Sequence, residues 1–175
     1  GRPEYSFFLT ENGQESLPKS YSELLNMVVG EMALLTVEDT AGRGGGQLLE
    51  MVFHRLSDKV WRSYEPELRD KDLKSRLSTL LTHLTQRDYF PEVEVVNGEL
   101  RLRVLNCPFR SVALQNGVVC TFDQKLFSAM LGVDLVRDAC PDEGEGCLYS
   151  GNDGSLQMDG QMDGQGEGHT ATRAG

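Results

Sequence analysis

Apolar positions along the first half of the chain recur in alternating steps of four and three, the spacing that lines up one face of an α-helix. Tyr21, Leu25, Val28, Met32 and Leu35 form one such series, Leu49, Phe53, Leu56 and Val60 a second, and Leu73, Leu77, Leu80 and Leu84 a third. Ser20-Tyr-Ser-Glu23 is a capping-box pattern that starts the first helix, which the spacing carries to about residue 37. The Gly-rich stretch over 38–46 breaks it. A second helix is predicted over 47–64, ended by Pro66, and a third over 70–87. Three amphipathic helices in succession make a bundle or a dimerisation layer, and the pattern suits an intramolecular core and a dimer seam equally.

After Pro91 the period shortens to two. Val93 and Val95, then Leu100, Leu102 and Val104, flank Asn97-Gly98, the dipeptide that favours a type I′ hairpin because both central residues need positive φ. Short helices are predicted over 109–115 and, with Thr121 as N-cap, over 121–131, and closing strands over 133–137 and 146–150. An α+β module of 91–150 results. At the front, Tyr5 to Thr10 reads as a strand ending in an Glu11-Asn12-Gly13 turn; with no partner strand nearby, its mate is expected upstream of residue 1, so the chain is read as a fragment. From Gly151 onward the sequence is Gly, Asp, Gln and Ser with Gln157-Met-Asp-Gly160 repeated as Gln161-Met-Asp-Gly164. That stretch has too little apolar surface to offset ordering entropy and is expected to be a disordered acidic tail. The repeat lacks the alternating acids and closing Glu of a calcium loop.

Charge separates the same two regions. The net charge is −10, and residues 141–175 hold Asp142, Glu143, Glu145, Asp153, Asp159, Asp163 and Glu167 against Arg173 alone. Bulk charge therefore gives no sign of a nucleic-acid binder, which needs clustered Lys and Arg. No apolar run is long enough for a membrane span and no secretory pattern opens the chain, so a cytoplasmic location is expected.

The candidate chemistry lies in the cysteines. None occurs in the first 106 residues, and then Cys107, Cys120, Cys140 and Cys147 follow close together. Without a secretory signal they are read as reduced thiols rather than a disulfide framework. Soft anionic sulfur suits an iron–sulfur cluster or zinc; against zinc, no close Cys-x(2–4)-Cys pair is present. Buried thiols without metal are the third reading. Pro108 fixes φ after Cys107, and the helix start beyond it offers backbone N–H groups to an anionic centre. His54, His83 and His169 are far apart in sequence with no local nucleophile motif, so no enzyme is indicated. Gly42 to Gly46 lacks the Lys-Ser/Thr of a phosphate loop and is a linker, and Trp61 with Tyr64 fits helix packing.

Gly1-Arg2-Pro3, Tyr5, Leu9-Thr10, Gly13, Leu17-Pro18, Tyr21 and Leu24-Leu25, followed by Asn106-Cys107-Pro108-Phe109, Val119-Cys120 and Cys147-Leu148-Tyr149, resemble the ArsR/DeoR-like winged-helix transcriptional regulators, in particular the SufR-type iron–sulfur-responsive repressors. The resemblance implies a wing remnant over 1–18, a helical dimerisation region over 19–90, a Cys-rich sensor module over 91–150 and a tail over 151–175. It further implies a homodimer, an iron–sulfur cluster (4Fe-4S or 2Fe-2S, with zinc the alternative) on Cys107, Cys120 and Cys147, with Cys140 a further candidate ligand, and DNA contact by Arg2 at the wing tip. The DNA-reading helix-turn-helix would lie upstream. Alternatives within the same frame are a small-molecule effector domain and a zinc-stabilised interaction module.

Overall fold

A computed structural model describes residue 7, residues 9–138 and residues 146–152. The architecture is α+β: helices α1 (Glu11–Glu15), α2 (Tyr21–Met32), α3 (Val37–Thr40), α4 (Gly45–Leu68) and α5 (Leu73–Gln86) precede strands β1 (Pro91–Val96) and β2 (Glu99–Val104). Helices α6 (Arg110–Gln115) and α7 (Val119–Leu131) follow, then β3 (Val136–Arg137) and β4 (Cys147–Asn152). The strands form one antiparallel sheet in the order β1-β2-β4-β3, with β2 hydrogen-bonded on both sides.

The hairpin is where the alternation places it. Asn97 and Gly98 both take positive φ (53° and 80°), and Pro91 pairs with Val104 at the far end. Leu100, Leu102 and Val104 of β2 point into the core with Tyr149 of β4, and α7 lies across them, Phe127 meeting Tyr149 edge-on at 5.2 Å between ring centroids. α7 also packs against α4 and α5, whose Val52, Phe53, Leu56, Leu80 and Leu84 are buried in the same core. Each such fully buried side chain contributes about 1.5–3 kcal/mol. Lys125 and Asp58 close the α4–α7 rim with a 2.9 Å ion pair. A single hydrophobic cluster thus runs from α2 to β4, across the boundary at residue 90 where helices give way to strands.

Several expectations are corrected. Phe7, Leu9 and Thr10 are not in a strand; Thr10 is instead the N-cap of α1, its side chain accepting from Gly13 N–H, so Glu11-Asn12-Gly13 begins a helix rather than a turn. α4 runs through Pro66 to Leu68: the carbonyl that proline leaves without a donor belongs to the exposed Arg62, and the last turn is anchored by the fully buried Leu68. Gly45 and Gly46 belong to α4, with Gly44 as N-cap, so the linker is shorter than predicted. α7 starts at Val119, and Thr121, inside it, donates its hydroxyl to Val118 O instead of capping. In α2 the buried positions are Leu24 and Glu31, with Met27, Val28 and Leu35 partly buried on the core, whereas Leu25 and Met32 of the predicted seam face outward. Gly151 and Asn152, assigned to the tail, complete β4. The Gln-Met-Asp-Gly repeat lies outside the described residues.

Candidate functional site

Strand register and one loop bring the cysteines together. In the β2–β4 pair Cys147, the first residue of β4, stands opposite Val104, the last of β2. Cys107 follows Val104 by three residues, in the turn that leads into α6. That turn is pinned by Asn106, which has no exposed surface. Its side-chain amide donates to Pro18 O (3.0 Å) and Asp88 O (2.6 Å), and its oxygen accepts from Lys19 Nζ at 2.7 Å. Cys120 sits in the first turn of α7. All three line one cavity of about 210 Å³, walled otherwise by apolar groups such as Val104, Ala113 and Leu114 and by the Tyr149 ring. Cys107 and Cys120 are free thiols, the first half-buried and the second buried, and Cys147 is disulfide-bonded. The expectation of uniformly reduced thiols therefore does not hold at Cys147.

Charged side chains complete the cavity: Asp123, Arg110 and Arg137. Asp123 is buried on α7 and accepts a 2.7 Å hydrogen bond from the Tyr89 hydroxyl. Burial pushes its carboxyl up to about 7, although the Tyr89 bond and the Arg137 charge pull the other way. Tyr89 is held between Asp88 and Phe90, both at positive φ (60° and 52°), a strained arrangement for residues with a β-carbon. Arg110 has a buried Nε–H with no acceptor among the described residues. Burial, aided by the charge of Asp123, pushes the Cys107 thiol up to about 12; the Phe109 backbone N–H, which hydrogen-bonds its sulfur, opposes this. Burial raises the Cys120 thiol as well. Both free thiols are therefore protonated at neutral pH, and any metal must displace protons to bind them.

The amides at the start of α6 are largely committed elsewhere: Arg110 N–H donates to Cys107 O and Ser111 N–H to the Tyr21 hydroxyl. Of the described amides at the start of α6, the Phe109 N–H alone reaches the Cys107 sulfur, less than the helix-start argument predicts. Cys140, Arg2 and His169 lie outside the described residues. Among the described residues, no three His, Cys, Asp or Glu side chains are gathered tightly enough to hold a metal ion in this arrangement. His54 borders a separate open groove with Gln124, Lys125 and Asp134. His83 is buried and its Nδ1 is hydrogen-bonded to the Tyr64 hydroxyl at 2.7 Å, while Trp61 packs on the core, as the helix-packing reading requires.

Sequence reasoning did not find Asp123, Tyr89, Arg110 or Arg137. Asp123 did leave a signal. It interrupts the apolar face of α7 between Phe122 and Leu126, where a carboxylate has a desolvation cost and hence a reason to be there. No helix among the described residues is long and apolar enough to cross a membrane. Compared with known proteins, the chain matches no family model, no curated protein and no solved structure.

Proposed function

We propose that this chain is the sensor region of a winged-helix transcriptional repressor, and that the cavity lined by Cys107, Cys120 and Cys147 senses iron–sulfur or redox status. The observation that carries the reading is the convergence of three sulfur-bearing residues, far apart in sequence, on one cavity that also holds two arginines.

The sulfur donors are of the chemical kind an iron–sulfur cluster takes, but holding one would require opening the disulfide at Cys147 and drawing the three sulfurs closer than they stand among the described residues. Cys107 and Cys120 supply two thiols, Cys147 turns a third sulfur to the same space, and Arg110 and Arg137 provide the positive potential an anionic centre needs. When bound, the cluster supplies an oxidisable inorganic centre held by thiolate sulfur. The chain's own part is to exclude water, to give up the protons of Cys107 and Cys120, and to keep Cys147 either reduced and available or oxidised and withdrawn. Cys140, the further candidate ligand, lies outside the described residues.

Occupancy must change shape to be reported, because a ligand with equal affinity for two states shifts neither. Cys120 is on α7, α7 packs on α4, and α4 packs on α2, so a displacement at the cavity reaches the helical layer directly. DNA contact, including that assigned to Arg2, belongs to this proposal.

A second reading, a small-molecule effector site, is favoured by the mostly apolar walls and by the unfilled Arg110 Nε–H, which suit a compact organic acid. Anaerobic reconstitution of the reduced chain with iron and sulfide separates the readings. Broad visible absorption that bleaches in air, and that is lost in Cys107→Ser and in Cys120→Ser, supports the first. A colourless protein carrying zinc supports an interaction module instead, and a protein that takes up neither metal leaves the small-molecule site.

A further inference from the structure

Cys147 can serve as a thiolate only after its disulfide is opened, and the cavity it lines limits what can reach it there. Leu114 and Gly117, at the end of α6 and just beyond it, are solvent-exposed lining residues, whereas Val104, Asp123 and Tyr149 line the space from the buried side. The volume is about 210 Å³. An apolar cavity of roughly 150 Å³ takes benzene, so a guest of about six to eight heavy atoms fits here and a peptide does not. Charge selects further. Arg110 lines the cavity, and its buried Nε–H has no acceptor among the described residues. Arg137 lines it too, and its charge acts on Cys120, Asp123 and Tyr149 alike. Among the described lining residues Asp123 is the one carboxyl, and burial holds it near 7, so it is only partly ionised at neutral pH. The cavity is therefore positive within a chain whose net charge is −10.

We infer that the cavity is the docking site of a low-molecular-weight thiol bearing a carboxylate, and that such a thiol is the reductant that opens the Cys147 disulfide. The inference rests on the redox reading of this cavity given above and names the reagent through which redox status is read. Arg110 and Arg137 hold the carboxylate. With that end anchored, the sulfur of a guest this small stays within the space that Cys147 lines.

The guest loses its proton to water and attacks Cys147 Sγ as the thiolate. A bond forms between the guest sulfur and Cys147 as the existing disulfide breaks, and the electron pair of the broken bond leaves on the other sulfur, which takes a proton from water. A second guest thiolate then attacks the guest sulfur of this mixed disulfide, and Cys147 leaves as a thiolate that is protonated in turn. Two guest thiols end as one guest disulfide, and the protein disulfide ends as two thiols. Cys107 and Cys120 line the same space without competing as attackers, because burial keeps both protonated at neutral pH.

Three small thiols test this on the whole chain oxidised at Cys147: anionic 3-mercaptopropionate, neutral 2-mercaptoethanol and cationic cysteamine. Free thiol appearing at Cys147 is trapped by alkylation and located by peptide mass spectrometry, and rates are compared per thiolate. Attraction to the chain as a whole, at −10, would favour cysteamine and disfavour the carboxylate. The cavity reverses that order. 3-Mercaptopropionate should react at least about tenfold faster than 2-mercaptoethanol, the worth of one charge-assisted hydrogen bond, with cysteamine slowest. Arg110→Gln should lower this ratio, and Arg137→Gln serves as the second variant if circular dichroism shows the first to be unfolded. Taking the ratio within each protein cancels any general change in exposure. Equal rates, or cysteamine fastest, overturn the inference, as does a ratio that survives in the folded variant. Iron and sulfide incorporation into chain reduced by other means is a separate readout, so lost selectivity leaves the cluster reading standing, and a chain that takes up no cluster leaves this one standing.

Discussion

Asn106 and His83 show two ways in which a buried polar side chain is made tolerable. Asn106 spends both ends of its amide on three partners and so ties the loop before α2, the approach to the hairpin and the cysteine turn into one corner. His83 is held neutral: burial, and then the nearby Arg87 charge, depress its ring to about 4, and its Nδ1 shares a 2.7 Å hydrogen bond with the Tyr64 hydroxyl. The unfolded chain takes up this proton near the ordinary value of 6.5, and the folded chain only near 4. Stability is therefore fully present above about pH 6.5 and is lost as pH falls toward 4, by about 3 kcal/mol in all. Urea denaturation across this window should show that loss in the wild type and not in His83→Gln, which keeps a hydrogen-bonding partner for Tyr64. Parallel pH profiles for the two proteins would contradict the assignment.

Elements were legible where periodicity was long and turn chemistry strong. α4, α5 and α7 and the Asn97-Gly98 hairpin follow from spacing and from the one dipeptide that accepts two positive φ values. What misled was local punctuation overridden by burial, as when Leu68 held α4 through Pro66. The four-and-three series of α2 named a stripe without saying which side faced the core, because both sides are apolar. The closing strand was hidden in glycine. Gly151 looks like the start of a flexible tail, yet a β-carbon there would lie 2.7 Å from Asp134 O and 2.9 Å from the Leu135 side chain, a close approach that only glycine permits. Gly151→Ala should accordingly cost about 1–3 kcal/mol in urea denaturation. Gly46→Ala, where nothing lies within 4 Å, should not destabilise and is the control. An undiminished midpoint in Gly151→Ala would mean that β4 does not pack against the chain after α7 as described.

At the level of the whole molecule the sequence pointed to the cysteines, and the topology explains how three of them meet: antiparallel pairing of β2 with β4 sets Cys147 beside the turn that bears Cys107, and α7 returns Cys120 to the same place. The charged partners of the cavity were not legible, since Asp123, Tyr89, Arg110 and Arg137 come from four elements or loops that share no motif. The disulfide at Cys147 was not legible either, because it depends on which sulfurs the fold leaves adjacent. It also gives the sensing account its sharpest form, since one sulfur atom cannot be both in a disulfide and a thiolate ligand. The decisive measurement is iron and sulfide content after anaerobic reconstitution of the chain in two states, fully reduced and with the Cys147 disulfide intact. The account predicts cluster incorporation in the reduced chain and none in the oxidised one; equal incorporation in both, or none in the reduced chain, would contradict it.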